Sequence, residues 1–192
     1  MKASTAFEVR VSNNEWDNLC NIAAKFQASS ADAECFAGAL VVRGDRLPCE
    51  GFTAQSIYND NAYYVEAATS AVTADDVVYA CNTYDSQLIG NGTNNWHIGH
   101  ETLGIPTPAG RIGTYTKVVF NGENIYRFGE GNTDDAGSAD FYTIDAGALV
   151  SADSAPTSAG TVYFKTVGTG KFTVGTTDAF GYVDVQACKV TA

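Results

Sequence analysis

Basic residues are scarce in this sequence: Lys and Arg total 11 against 22 Asp and Glu in 192 residues, a formal net charge of −11. Such a chain repels phosphate backbones, and no cluster of Lys or Arg offsets the repulsion, so nucleic-acid binding is not expected. The deficit is uneven, with 3 basic and 12 acidic groups across residues 51–150. Charge of either sign is thin, at 17% of residues, and the acidity reads as colloidal repulsion that keeps a weakly charged surface soluble. Long apolar runs are also missing. The longest plain one, AGALVV at residues 37–42, falls far below the ~20 residues that cross a bilayer. MKASTAFEVRVSNNEW holds no continuous apolar stretch after its lysine, because Glu8 and Arg10 interrupt it, and so it reads as no export signal. The five cysteines (Cys20, Cys35, Cys49, Cys81, Cys188) are odd in number and form no CxxC pair. Free, mostly buried thiols in a protein made in a reducing cytoplasm are expected. The glycosylation triplet Asn91-Gly92-Thr93 has no meaning without export.

What is present is material for a core. Apolar residues make up 45% of the chain, and a chain of this length buries roughly 70% of its unfolded surface. Residues 1–34 read as an N-terminal arm and one short helix. Phe7, Val9 and Val11 alternate as in an extended segment, and Asn13 or Asn14 can cap a helix carrying Trp16, Leu19, Cys20, Ala23 and Phe26 at spacings of three and four. From Cys35 to Ala192 the texture changes to short runs of Val, Tyr, Phe, Ile and Thr punctuated by Gly, Asn, Asp and Pro. AGALVV, NAYYVEA, DVVYACNTY, YTKVVF, NIYRF, DFYTI, TVYFKTV, KFTV and YVDVQACKV all read as strands. FNGENIY carries Asn121-Gly122 between two such runs, a hairpin signal, and GTGKFT reads as a second, glycine-rich hairpin turn. The expected fold is mainly β, an antiparallel sandwich or barrel-like body spanning 35–192, with a division into lobes at 35–110 and 111–192 left open.

Motifs that could carry chemistry fail one by one. Arg43-Gly44-Asp45 is an integrin-type tripeptide, yet Gly and Asp both serve a tight turn without any partner, so a structural turn is expected. His97 and His100 with Glu101 match neither HExxH nor HxxEH, and Gly99 and two nearby prolines oppose the helix such a zinc site needs. Around Gly170-Lys171 the phosphate-loop pattern fails twice, at Lys165 and Phe172. Asn132, Asp134, Asp135 and Asp140 gather near Gly137, but Ala136 and Thr143 stand where a calcium loop needs ligands. No catalytic residue, metal or cofactor is expected, and the protein reads as no enzyme.

The segment CFAGALVVRGDRLPCEGF, at 35–52, resembles the opening strand and turn of head-decoration proteins of tailed bacteriophages. The likeness continues in TADDVVYACNTY, GHETLGIPTPAGR and FYTIDAGALVSADSAPTSAGTVYFKTVGTG. The resemblance implies a structural virion protein made in the host cytoplasm. It would lie on the outer capsid surface as a homotrimer and stabilise the shell by binding several major-capsid subunits, with no nucleic-acid or membrane partner. Phe7, Val9, Val11, Trp16 and Leu19 in the N-terminal arm are the expected capsid contacts. The alternative is a receptor- or glycan-binding head-fibre or adhesion module.

Overall fold

A computed structural model of the chain describes residues 5–11, 21–47, 62–82, 106–174 and 177–191. Its strands are β1 (Phe7–Val11), β2 (Asn21–Ala28), β3 (Ala31–Asp32), β4 (Leu40–Arg46), β5 (Ala62–Ala67) and β6 (Val78–Cys81), followed by β7 (Ile112–Val118), β8 (Ile125–Gly129), β9 (Phe141–Asp145), β10 (Ala148–Ala152), β11 (Val162–Val174) and β12 (Thr177–Lys189). A 3-10 turn, Glu130–Asn132, follows β8. They form two sheets. One is open, with strand order β1-β8-β12-β11-β9-β10. In the other, β2-β5-β4-β6-β7 close into a barrel through a β2–β7 pairing, and β3 continues the second edge of β2 beyond β7. Every named pairing is antiparallel except β2 with β5. The mainly-β body expected from the strand pattern is thus what forms.

Alternation explains how two sheets share one chain. Leu40, Val78 and Ala80 point from the barrel wall to the open sheet, where they join Phe7, Tyr126, Phe128, Tyr142, Leu149, Phe164 and Val185 in the main core. Val41, Tyr79 and Cys81 point the other way, into the barrel, to meet Ala24, Cys35, Val65 and Tyr115. The barrel's β4 and β6 are therefore covered on both sides over these residues, which is why ALVV and VYAC are unbroken apolar runs rather than alternating ones. Backbone bonds stitch the sheets together. The β9–β10 turn places Ala146 and Gly147 at positive φ (47° and 76°). There Leu40 N–H donates to Gly147 O (2.9 Å), Gly147 N–H to Ala68 O (2.8 Å) and Ala68 N–H to Leu40 O (2.9 Å).

Several sequence expectations are corrected. Residues 21–26, read as the second half of a helix, are strand β2. Its backbone is taken by β5 on one edge and by β7 and β3 on the other, so barrel closure overrides a helical spacing that was short to begin with. Trp16, Leu19 and Cys20 lie outside the described residues. Nor does β1 stand apart as an arm: it pairs with β8, Phe7 opposite Phe128, and Phe7 is buried. Asn121-Gly122 does turn, with Gly122 at φ 74° and Asn121 Oδ1 accepting from the Glu123 and Asn124 amides (2.9 and 3.0 Å). It joins β7 of the barrel to β8 of the open sheet, however, not two paired strands. GTGKFT is no turn either. It lies inside β11, where Gly170 faces Tyr182, and a Cβ at Gly170 would come within 2.5 Å of the tyrosine ring.

Candidate interaction surface

The inward residues of β8 and β12 are Tyr126, Phe128, Val183 and Val185, so Arg127, Tyr182 and Asp184 face outward on the open sheet. Register puts Arg127 between Glu8 on β1 and Asp184 on β12. Its guanidinium bonds Asp184 with both teeth, Nε to Oδ1 at 2.7 Å and Nη2 to Oδ2 at 2.8 Å, and lies 3.7 Å from Glu8. The same guanidinium covers the Tyr182 ring at 3.5 Å from its centroid. Tyr182 packs edge-on against Phe172 (5.1 Å between centroids), and Phe172 meets Phe180 at 4.9 Å. The hydrogen bonds to Asp184 raise the Arg127 pKa above its ordinary value, outweighing burial, which acts to lower it. With its side chain 13% exposed, this cation is fixed in a fork and a stack, a rigid feature rather than a free anion hook. Half-buried Phe141 and Tyr163, 6.4 Å apart, continue the aromatic character of this face.

Among the described residues, the β11–β12 hairpin from Lys171 and Gly181 outward pairs only with itself. An open cleft of about 530 Å³ lies between this hairpin and the 136–140 loop, lined by Glu130, Ser138, Asp140, Thr169, Lys171 and Tyr182.

The acidic loop serves the fold. Buried Asn132 accepts from the Ala6 amide (3.0 Å) and donates to Ala37 O (2.8 Å), tying the entry to β1 to the loop before β4. Gly38 must be glycine there: its φ is 81°, and a Cβ would sit 2.6 Å from Asn132. Asp134 accepts from the Ser151 amide and hydroxyl (2.8 and 3.0 Å). Asp135 accepts from the Gly137 amide (3.0 Å), Ser138 Oγ (3.1 Å) and the Tyr142 hydroxyl (3.0 Å). Burial pushes the Asp135 carboxyl up, but the bonds from Tyr142, Ser138 and backbone amides outweigh it and hold it below the usual carboxylate range. Asp134 and Asp135 are committed to these partners, which leaves exposed Asp140 to present its carboxylate to solvent. Among the described residues, no group of three or more His, Cys, Asp or Glu could hold a metal ion.

Other sequence candidates fall as follows. Phe7 is 1% exposed and stacks on Tyr126 at 5.8 Å. Val9 packs against the same core, and Val11 ends β1. Arg43-Gly44-Asp45 is a correction: the three form no turn but lie within β4, across a register shift between Arg43 and Arg46. Both arginines lie over the Tyr63 ring, at 4.8 and 5.9 Å, which holds the tripeptide against the barrel wall. Trp16, Leu19, His97, His100 and Glu101 are outside the described residues. Cys35, Cys81 and Cys188 are buried. The Cys35 thiol is pushed up by its bond to Cys81 and by burial, the reverse of what a nucleophile requires. The Arg127–Asp184–Tyr182 assembly was not legible in advance, since Arg127 lies 57 positions from Asp184 and only strand register unites them. No helix among the described residues is long and apolar enough to cross a membrane.

Comparison with models of protein families, with curated proteins and with solved structures returns no match to this chain.

Proposed function

We propose that this chain is a structural virion protein that decorates the outside of a tailed-phage capsid as a homotrimer and stabilises the shell by bridging major-capsid subunits. The observation that carries the reading is the outer face of the open sheet, on which half-buried Phe141 and Tyr163 form one aromatic pair and half-buried Tyr182 stacks with a locked Arg127. The sequence resemblance across roughly residues 35–190 supplies the partner. A six-stranded face with four strands of five residues and two of thirteen measures about 700–750 Å², from strand spacing and rise. A standard interface buries about 800 Å² per partner. One face offers at most about one standard interface, so several copies acting together on a repeating surface strengthen the grip. A protein that binds only the assembled lattice stabilises that lattice by mass action. The chain's −11 charge then keeps coated particles apart.

The test is sedimentation of the purified protein with mature empty capsids and with free major capsid protein, alongside mass spectrometry of purified virions. Binding to shells alone, and hundreds of copies per particle, are the expected results. Virions lacking the chain refute the reading.

A second reading, a glycan-binding module, is favoured by the cleft beside the hairpin, which sets Tyr182 among hydroxyls and the carboxylates of Glu130 and Asp140. A glycan array distinguishes the two: saturable hits together with no capsid binding favour this one.

A further inference from the structure

Where the barrel meets the open sheet lies a second, smaller cavity of about 160 Å³, lined by Thr5, Phe26, Glu34, Phe36, Asn132 and Gly147 among others. Thr5 is 1% exposed, and its Oγ1 has no hydrogen-bond partner. A buried hydroxyl left unpaired is costly, and native structures rarely tolerate one without a ligand or water to satisfy it. Asn132 is already committed to Ala6 and Ala37, which leaves the Thr5 hydroxyl as a buried, unpaired polar group of the lining. Exposed Glu34 supplies a carboxylate and makes no ion pair among the described residues. Among the described residues of the lining there is no Lys, Arg or His. Phe26 and Phe36 give the walls an apolar and aromatic character.

These properties select a ligand. The carboxylate and the acidic chain repel anions. Aromatic walls favour an alkyl stem carrying a positive charge over a plain polyol. The volume equals about five waters at ~30 Å³ each, enough for one butyl- to pentylammonium chain but not for a nucleotide or a disaccharide. We infer that this seam cavity binds an alkylammonium group, such as the end of a lysine side chain on a partner protein, with the ammonium donating to Thr5 Oγ1 and Glu34 setting the sign of charge accepted. The inference does not depend on whether the partner is a capsid.

The experiment is a titration of the full chain with n-pentylammonium chloride, followed by amide NMR, with pentanol and pentanoate at equal concentration as controls. Saturable shifts confined to Thr5, Phe26, Glu34, Phe36 and their neighbours are expected, with a Kd on the order of 1 mM for so small a probe. Pentanoate should not bind. Glu34→Gln, at an exposed position, should leave folding intact and weaken binding at least about fivefold, and Thr5→Val should weaken it as well. Non-saturating shifts, shifts spread over the acidic surface, equal binding of pentanoate, or unchanged affinity in Glu34→Gln each overturn the inference and leave a cavity that holds only water.

Discussion

Replacing Phe7 with alanine separates a structural N-terminal strand from a free arm. Phe7 is 1% exposed, lies 5.8 Å from Tyr126 in a stacked arrangement and meets Phe128 edge-on at 5.3 Å. Truncating a buried phenylalanine costs about 3–5 kcal/mol, because the lost burial is compounded by the cavity left behind. Against a typical total of ~5–15 kcal/mol that is about a fifth or more of the stability. For a chain of this size, 1 kcal/mol moves the melting midpoint by roughly 2–4 °C, so a drop on the order of 10 °C is expected. Urea unfolding followed by far-ultraviolet circular dichroism measures it, with Glu8→Gln on the same strand as the control for a residue at the edge of the solvent. Capsid addition, assayed well below the variant's midpoint, should persist, since the ring faces the core and not a partner. A loss under ~0.5 kcal/mol would refute the reasoning: β1 would then be dispensable to the fold, and Phe7 would be available for contact after all.

Asn132→Ala removes one side chain and strands two buried backbone groups, the Ala6 amide and the Ala37 carbonyl. At about 1–3 kcal/mol for each orphaned group the loss should reach several kcal/mol, and the Ala6 amide should exchange its hydrogen faster; unchanged exchange there rejects the assignment. Asp135, held below its ordinary value by Tyr142, Ser138 and backbone amides against the opposing pull of burial, contributes stability that is fully present above the unfolded value of ~3.9. That contribution is lost as pH falls through the lower folded value. The stability gap between the parent and Asp135→Asn should therefore be flat from pH 5 to 8 and close below about pH 4. A gap that persists unchanged to pH 2 contradicts the bond network.

The strands were readable where local pattern and burial agree. YTKVVF, NIYRF and DFYTI alternate, and they became β7, β8 and β9 because one face of each meets a core. What was hidden depends on partners distant in sequence. Nothing near residue 21 shows that β5 and β7 claim both edges of β2, so a weak helical spacing looked sufficient. TVYFKTV and KFTV looked like two strands around a glycine turn. Only the presence of Tyr182 opposite Gly170 explains why the glycines lie within one continuous strand. Strand β10, ALVSA, was missed because its turn, Ala146-Gly147, has a weaker signature than Asn-Gly, and because Leu149 alone of its five residues is buried. The outer-face assembly was missed for the same reason as β2: Glu8, Arg127 and Asp184 look like dispersed surface charge until register aligns them.

The ties that escaped the sequence bear directly on the proposed role. A body that lies across a lattice gains affinity to the extent that little of it must be ordered on binding. Here the two sheets are fastened by the Leu40–Gly147–Ala68 backbone triangle, by the Asn132 clamp and by the bond from Gly122 N–H to Ala187 O at 2.9 Å. The outer face is fastened in turn, since Arg127 is held by a two-toothed ion pair and a stacked ring. Such a surface enters an interface already in its bound arrangement, and its modest area can be spent on contact instead of on freezing side chains. Loosening a tie remote from the outer face, as Asn132→Ala does, should then weaken shell binding through the cost of ordering, with no contact residue altered.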